Sequence, residues 1–422
     1  MRQSIFTVVA DIEAAHVDGL RQTLSALASD PGGHPLLPFA QFDQLHFASL
    51  VLAAGPTLPR AKLIFEANVD GTAQSWLTAL TTSAPAGLDA LYAGSPGYPG
   101  SAAPDRLRAW LATRVVRPGA YHIGATGRSL ERIRQEHRLH RAIAAFLDQQ
   151  DAAGELKGAS PETIRSRIVE FAASDPALRW AAEPAPPRET SAERIGHRAR
   201  AAGAVAAALA LSPVLVPVVL VAGVILVVRE QLDAVQSGPP SADHVRAVEA
   251  DEDRTGFVQN HLASVIPVKA GRLRAVLLPV VLYALNLIAR INSTKGKLGG
   301  IPSIHFAHWA LIDDGRHLVF LSNYDGSWQS YLGDFVDKAA VGLTAVWSNT
   351  VKFPRTRLLA FRGAADGPRF LHWARASQCR TDVWYSAYPE LGMSAIDNNS
   401  AIREDLFRTL NPEETQRWLA RL

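Results

Sequence analysis

The sequence predicts an α+β protein made of one β-α-β-β-α-β unit written twice, with a hydrophobic segment inserted between the copies. Three observations carry this. The string Leu45-His46-Phe47-Ala48, then Lys62-Leu63-Ile64-Phe65, then Asn68-Val69-Asp70-Gly71 returns as Ile304-His305-Phe306-Ala307, His317-Leu318-Val319-Phe320 and Asn323-Tyr324-Asp325-Gly326. The offset is 255 residues both from Asp70 to Asp325 and from Pro99 to Pro354 (325 − 70; 354 − 99), constant through a strand, a turn and a helix. Between the copies, Ala201 to Val228 carries no charge at all.

The first copy, residues 1–150, opens on an apolar strand from Ser4 to Asp11, read as a strand and not as a signal peptide because acidic Asp11 soon follows. Leu20, Leu24 and Leu27 give Val17 to Ala28 helical spacing. Leu45 to Leu52 and Lys62 to Ala67 are strands joined by a Gly-Pro turn, Thr72 to Leu80 is a second helix, and Ala120 to Gly124 a last short strand. That order is the ferredoxin-like unit. Arg128 to Leu147 follows as a charged amphipathic helix.

The second copy, residues 255–422, repeats the order: a strand near Ser264 to Val268, a helix over 272–291, strands over 304–312 and 317–322, a helix over 327–340, a strand over 381–387 and a helix over 394–407. Two such units predict two sheets meeting face to face, a pseudo-dimeric α+β barrel.

Residues 151–200 form a helical and Pro-rich linker, with Ala181 to Glu193 rich in Ala, Pro and Glu. An uncharged run longer than about 18 residues is a membrane candidate. A single crossing by 201–228 puts the two copies on opposite sides of the bilayer, where they cannot share a barrel. Pro213 and Pro217 break the helical ladder near its middle, which suits a hairpin with its tip at 212–217. The flank Arg194, His197, Arg198, Arg200 places the main body on the cytoplasmic side. Ala275 to Ala289 is a second apolar run, either a buried core helix or a segment dipping into the bilayer.

Hydrophobic residues make up 48% and charged residues 20%, a balance that fits a globular body with some lipid-facing surface. The formal net charge of +3 is too small to argue for nucleic acid. The single cysteine, Cys379, excludes an internal disulfide and a CxxC motif. No Gly-x-Ser-x-Gly elbow and no Walker loop occurs. Asn292 to Gly300 is a basic, Gly-rich loop that suits a phosphate or lipid head group, or simply connects a helix to a strand. His137 and His140 lie on a basic helix face.

The chemistry-bearing residues gather at the repeated turns. Asp70-Gly71-Thr72 and Asp325-Gly326-Ser327 stand where a strand gives way to a helix, so each aspartate can accept hydrogen bonds from free helical N–H groups. His46 and His305 are equivalent, whereas His308 has Ser49 as its counterpart in the other copy and belongs to the second half alone. Strand alternation puts His308 with Ile304 and Phe306, and His305 with Ala307 and Trp309. His372 and the stretch Val383 to Pro389, followed by Asn398, Asn399 and Arg403, are further second-half features.

The Asn-x-Asp-Gly turn resembles the Gly-x-x-Asp-Gly motif of dye-decolourising peroxidases, which also consist of two ferredoxin-like units. Ala67 and Ser322 stand where that family has its leading glycine. The resemblance covers the architecture and a five-residue turn. It implies haem as cofactor, with Asp325 or Asp70 as distal acid–base beside Asn323 and Arg403. It also implies His308 or His305 as iron ligand, with Trp328 and Tyr385 among the cofactor contacts. Two functions follow as expectations. One is a membrane-associated oxidoreductase acting on an apolar or lipid-derived substrate. The other is a non-catalytic, membrane-anchored lipid- or partner-binding protein whose Asp-Gly turns only cap helices.

Overall fold

The computed structural model describes residues 2–184, 191–236, 238–292 and 300–422. Most of the Gly-rich loop after Asn292 and part of the Pro-rich linker therefore lie outside the described residues. The strands of the two large sheets are β1 (Gln3–Ile12), β2 (Leu45–Ala53), β3 (Ala61–Asp70), β4 (Ala120–Ile123), β5 (Gln259–Pro267), β6 (Ile304–Ile312), β7 (His317–Asp325), β8 (Gln378–Cys379) and β9 (Val383–Ser386). They form two antiparallel sheets in the orders β1-β3-β2-β9 and β8-β5-β7-β6-β4. The fold is mixed α and β. β5 begins five residues before the strand the sequence suggests, because Gln259, Asn260 and His261 are polar residues that nevertheless point into buried contacts.

Each half gives one strand to the sheet of the other. β4 pairs with β6, Ile123 opposite Phe306, while β9 pairs with β2, Ser386 opposite Phe47. Before crossing, the first half grazes its own sheet, Val116 N–H donating to Thr7 O at 2.8 Å. The second half does the same through Gln378 and Cys379 on β5. At its crossing the Asp382 carboxylate accepts from Leu52 N–H at 2.7 Å.

Helices cover the outer face of each sheet. On the first lie α1 (Val17–Ser29), through Leu20, Leu24 and Leu27, and α2 (Ala73–Ser83), through Trp76, Leu77 and Leu80. The helix after β4 is α3 (Leu130–Ala152). Ahead of β5 come α4 (Ser191–Ala210) and α5 (Ser212–Leu232), which meet at Leu211; Pro213 falls in the first turn of α5 and Pro217 inside it. The uncharged segment is thus two helices, divided where Pro213 removes a backbone donor. On the second sheet lie α6 (Arg272–Asn292), through Leu278 and Leu282, and α7 (Trp328–Lys338), through Tyr331, Leu332 and Phe335. The helix after β9 is α8 (Met393–Leu406).

The inner faces of the two sheets meet directly. At one end Val51, Ala53 and Ile64 pack on Ala263, Ile312, Val319 and Leu321. At the other, Phe47 and Phe306 pack with Trp384, Tyr388 and Met393. Between these apolar ends lies a buried polar layer.

Candidate functional site

The polar layer follows from strand alternation along β3. Phe65, Ala67 and Val69 belong to the outer core, so Ile64, Glu66, Asn68 and Asp70 point inward. Glu66 is 1% exposed and lies between two histidines of the second sheet. His261 Nε2 is 3.3 Å from its Oε2, and His308 Nδ1 is 3.3 Å from its Oε1. Ser49 Oγ donates to Oε2 at 3.3 Å, and Asn68 Nδ2 to Oε1 at 3.2 Å. The outer nitrogens are engaged as well: His308 Nε2 with Thr7 Oγ1 at 3.0 Å, and His261 Nδ1 with Thr381 Oγ1 at 2.8 Å. The result is a Thr–His–Glu–His–Thr chain running from sheet to sheet. Burial alone raises the Glu66 carboxyl, but the hydrogen bonds and charges of His261 and His308 outweigh it and hold it well below the carboxylate range.

Beside this chain stand Asn68 and Asn323, Asn323 Nδ2 donating to Asn68 Oδ1 at 2.9 Å. Trp384 Nε1 donates to Asn323 Oδ1 at 2.8 Å.

The Asp-Gly turns form two matching clasps. Asp70 Oδ1 is 3.1 Å from His46 Nε2, and its Oδ2 accepts from Leu130 N–H at 2.8 Å. Asp325 Oδ1 is 2.6 Å from His305 Nε2, and its Oδ2 accepts from Met393 N–H at 2.6 Å. Each aspartate therefore caps the first turn of the helix that follows an exchanged strand, α3 or α8, where a negative charge is favoured. Gly71 and Gly326 take φ of +93° and +78°, which lets the chain turn away immediately after the carboxylate. The helices that follow the turns, α2 and α7, are capped instead by Thr72 and Ser327. His46 Nδ1 meets the Tyr388 hydroxyl at 3.0 Å. Burial, and then the Asp70 and Asp325 charges, push that phenol well above its ordinary value, so it remains protonated.

Among the sequence candidates the structure thus gathers Asp70, Asp325, Asn323, His305 and His308 between the sheets. It corrects the expected faces of β6. A bulge between Ile304 and Phe306 breaks the alternation, so His305, Phe306 and His308 all face the other sheet, while Ile304 joins Ala307 and Trp309 in the outer core. β2 carries the same irregularity between Leu45 and Phe47. Four candidates lie elsewhere. Arg403 sits ten residues into α8, about 15 Å along the helix from the Asp325 clasp, 3.6 Å from Glu136 Oε1 and bonded to Glu183 O. Trp328 stacks under Arg375 in the second outer core. Tyr385 packs on Phe39 in the first. His372 is exposed on the helix Gly367–Ser377.

The residues that sequence reading passed over are Glu66 and His261, whereas Tyr388 lies in the stretch Val383 to Pro389 that it singled out. Glu66 had a signal, a lone carboxylate inside the apolar strand Leu63-Ile64-Phe65-Glu66-Ala67. For an iron ion the donor set does not fit as it stands. His308 has one ring nitrogen on Thr7 and the other against Glu66, and His305 is held by Asp325. No group of three or more metal-ligating side chains occurs among the described residues.

A second candidate surface is apolar. Among the described residues one helix, Arg272–Ala289 of α6, is long and apolar enough to cross a membrane, and 17% of it is buried. Its inner side packs through Leu278 and Leu282, while Val276, Val280, Tyr283 and Ile288 are exposed. On α4 and α5, Val205, Leu209, Val216, Leu220, Val221 and Val224 are exposed too.

Comparison with models of known protein families, with curated proteins and with solved structures finds no match to this chain.

Proposed function

We propose that this chain is a membrane-bound, non-catalytic protein that binds lipid or an apolar partner. In this reading two ferredoxin-like repeats form a pseudo-dimeric α+β barrel, attached to the cytoplasmic side of a bilayer by α4, α5 and α6. The observation that carries it is the contrast between α1 and α6, the first helix of each half. Both lay leucines on their own sheet, but the outer face of α1 shows Asp18, Arg21, Gln22 and Ser25, whereas that of α6 shows Val276, Val280, Tyr283 and Ile288. A contiguous apolar face of this kind on a soluble surface marks a contact with lipid or protein. Because α6 is packed on the second sheet along its inner side, it fits a position in the plane of the interface.

The Asp–His clasps and the Glu66 layer support a non-catalytic body. Their carboxylate oxygens and most of their ring nitrogens are already committed to groups of the opposite sheet or helix. The peroxidase alternative asks for His308 to give up one ring nitrogen, from Thr7 or from Glu66.

Flotation of the purified full chain with phosphatidylcholine vesicles, without detergent, tests the reading. The chain is expected to float; a monodisperse protein that stays at the bottom of the gradient overturns it. Titration with hemin tests the alternative in the same sample. No Soret shift is expected, and a Soret band that disappears in His308→Ala would reinstate the peroxidase.

A further inference from the structure

At the foot of α6, between the β2–β3 hairpin and the β6–β7 hairpin, lies a groove of about 660 Å³. Pro56 and Leu58 form one wall, Arg316 and Asp314 another, and Arg272 and Ala275 of α6 the third. Arg272 and Arg316 are exposed. Arg316 spends only its Nε, on Asp313 O at 2.9 Å, and Arg272 has no carboxylate partner among the described residues. A third guanidinium stands close by: Arg229 Nη1 lies 3.1 Å from the position a Cβ would take on Gly271. Lys269 also borders the groove, but its ammonium is committed to Asp233 Oδ2 at 2.6 Å and Ser348 O at 2.7 Å.

This arrangement is electrostatically unfavourable as it stands. The N-terminus of a helix carries partial positive charge and favours anions, yet cations crowd the first turn of α6. Arg274 and Lys269 share the one Asp233 carboxylate, at 3.1 Å and 2.6 Å; Asp314 is the acidic residue that lines the groove with Arg272 and Arg316, and Arg229 stands beside it. Gly271, the residue before α6, has no side chain with which to cap the helix. An anion in the groove would satisfy the free N–H groups and the guanidinium forks together. The apolar face of α6 starts within one turn of it, at Ala275 and Val276.

Resting on the membrane reading above, we propose that this groove binds the phosphate of an anionic phospholipid head group, with the acyl chains lying along Val276, Val280 and Tyr283. The site selects charge, while the exposed apolar helices supply attachment to any bilayer.

The test compares flotation of the full chain on phosphatidylcholine vesicles and on vesicles that also contain phosphatidylglycerol. The wild type is expected to prefer the anionic vesicles. An arginine near an anionic surface is worth on the order of fivefold in binding, so Arg272→Ala with Arg316→Ala is expected to lose roughly 20-fold there. On neutral vesicles the double variant should match the wild type. Arg417→Ala with Arg421→Ala removes the same charge from the helix Pro412–Leu419 and the turn after it and should keep the preference. Equal flotation of wild type on both vesicles, or equal loss in the two double variants, overturns the head-group site and leaves the membrane reading standing. Flotation on neither takes both down. Saturable binding of inorganic phosphate, lost in the double variant but unaccompanied by any vesicle preference, assigns the groove to free phosphate and overturns the lipid.

Discussion

Asn68 and Asn323, each two residues before an Asp-Gly turn, meet side chain to side chain between the sheets, Asn323 Nδ2 donating to Asn68 Oδ1 at 2.9 Å. Both amides are fully buried, and each has a second partner, Glu66 for Asn68 and Trp384 for Asn323. The pair joins the two sheets at one point and fixes how one half sits on the other.

Asn323→Ala strands two buried groups, Asn68 Oδ1 and Trp384 Nε1. Each unsatisfied buried polar group costs about 1–3 kcal/mol, so a loss of roughly 2–4 kcal/mol in urea unfolding is expected. Asn68→Ala should cost a similar amount, and the double variant clearly less than the sum, because both remove one shared bond. Additive losses would mean the two amides do not act on each other.

Glu66→Gln removes the one carboxylate between His261 and His308. A buried polar group left without a matched partner costs about 1–3 kcal/mol, so a loss of that order is expected near neutral pH. The Glu66 carboxyl is held below its ordinary value in the folded chain, so its stabilisation is present above the unfolded value of about 4.3 and is lost as pH falls below that toward the folded value. Melting curves of wild type and variant are therefore expected to converge as the pH drops below about 4. A gap that stays constant from pH 7 to pH 3 would show that the charge of Glu66 does not support the fold.

Asp70→Asn and Asp325→Asn test whether the repeated turns are clasps. Each substitution weakens a helix cap and a contact to histidine, so a loss of about 1–2 kcal/mol is expected from both. A residue kept for reaction chemistry alone would leave stability unchanged or raise it. Unequal outcomes, with only one half destabilised, would mean that the shared geometry does not mean a shared role.

Much of the outer fold was legible in the sequence because it rests on local signals. Leu20, Leu24 and Leu27 mark the buried side of α1, and β6 runs over the residues its apolar alternation marks out. The inner layer was less legible, because its logic is long-range. Glu66 meets His261 and His308 only once two sheets are stacked, and no spacing in the chain announces that. Thr381 joins them from the link between β8 on one sheet and β9 on the other. The face of His305 was misread because a single-residue bulge reverses the alternation, and a bulge leaves no mark in Ile304-His305-Phe306. The Asp-Gly turns were legible as caps, but the helices they cap are α3 and α8, sixty and sixty-eight residues away.

The two sides of α6 separate stability from attachment, and substitutions at neighbouring positions on its opposite sides can show it. Leu282 is 1% exposed and packs in the core under α6, so Leu282→Ala is expected to cost about 2–5 kcal/mol. Val280 lies on the outer face at 57% exposure, where a polar replacement should change stability by no more than about 0.5 kcal/mol. Val280→Ser combined with Tyr283→Ser should nevertheless weaken flotation on neutral vesicles, because both side chains would otherwise be buried in lipid at roughly 1.5–3 kcal/mol each. The comparison needs urea unfolding and vesicle flotation of the same preparations. If the outer variant unfolds as readily as Leu282→Ala, the outer face is part of the protein core and not a lipid contact. If it keeps both its stability and its full vesicle binding, α4 and α5 carry the attachment without α6.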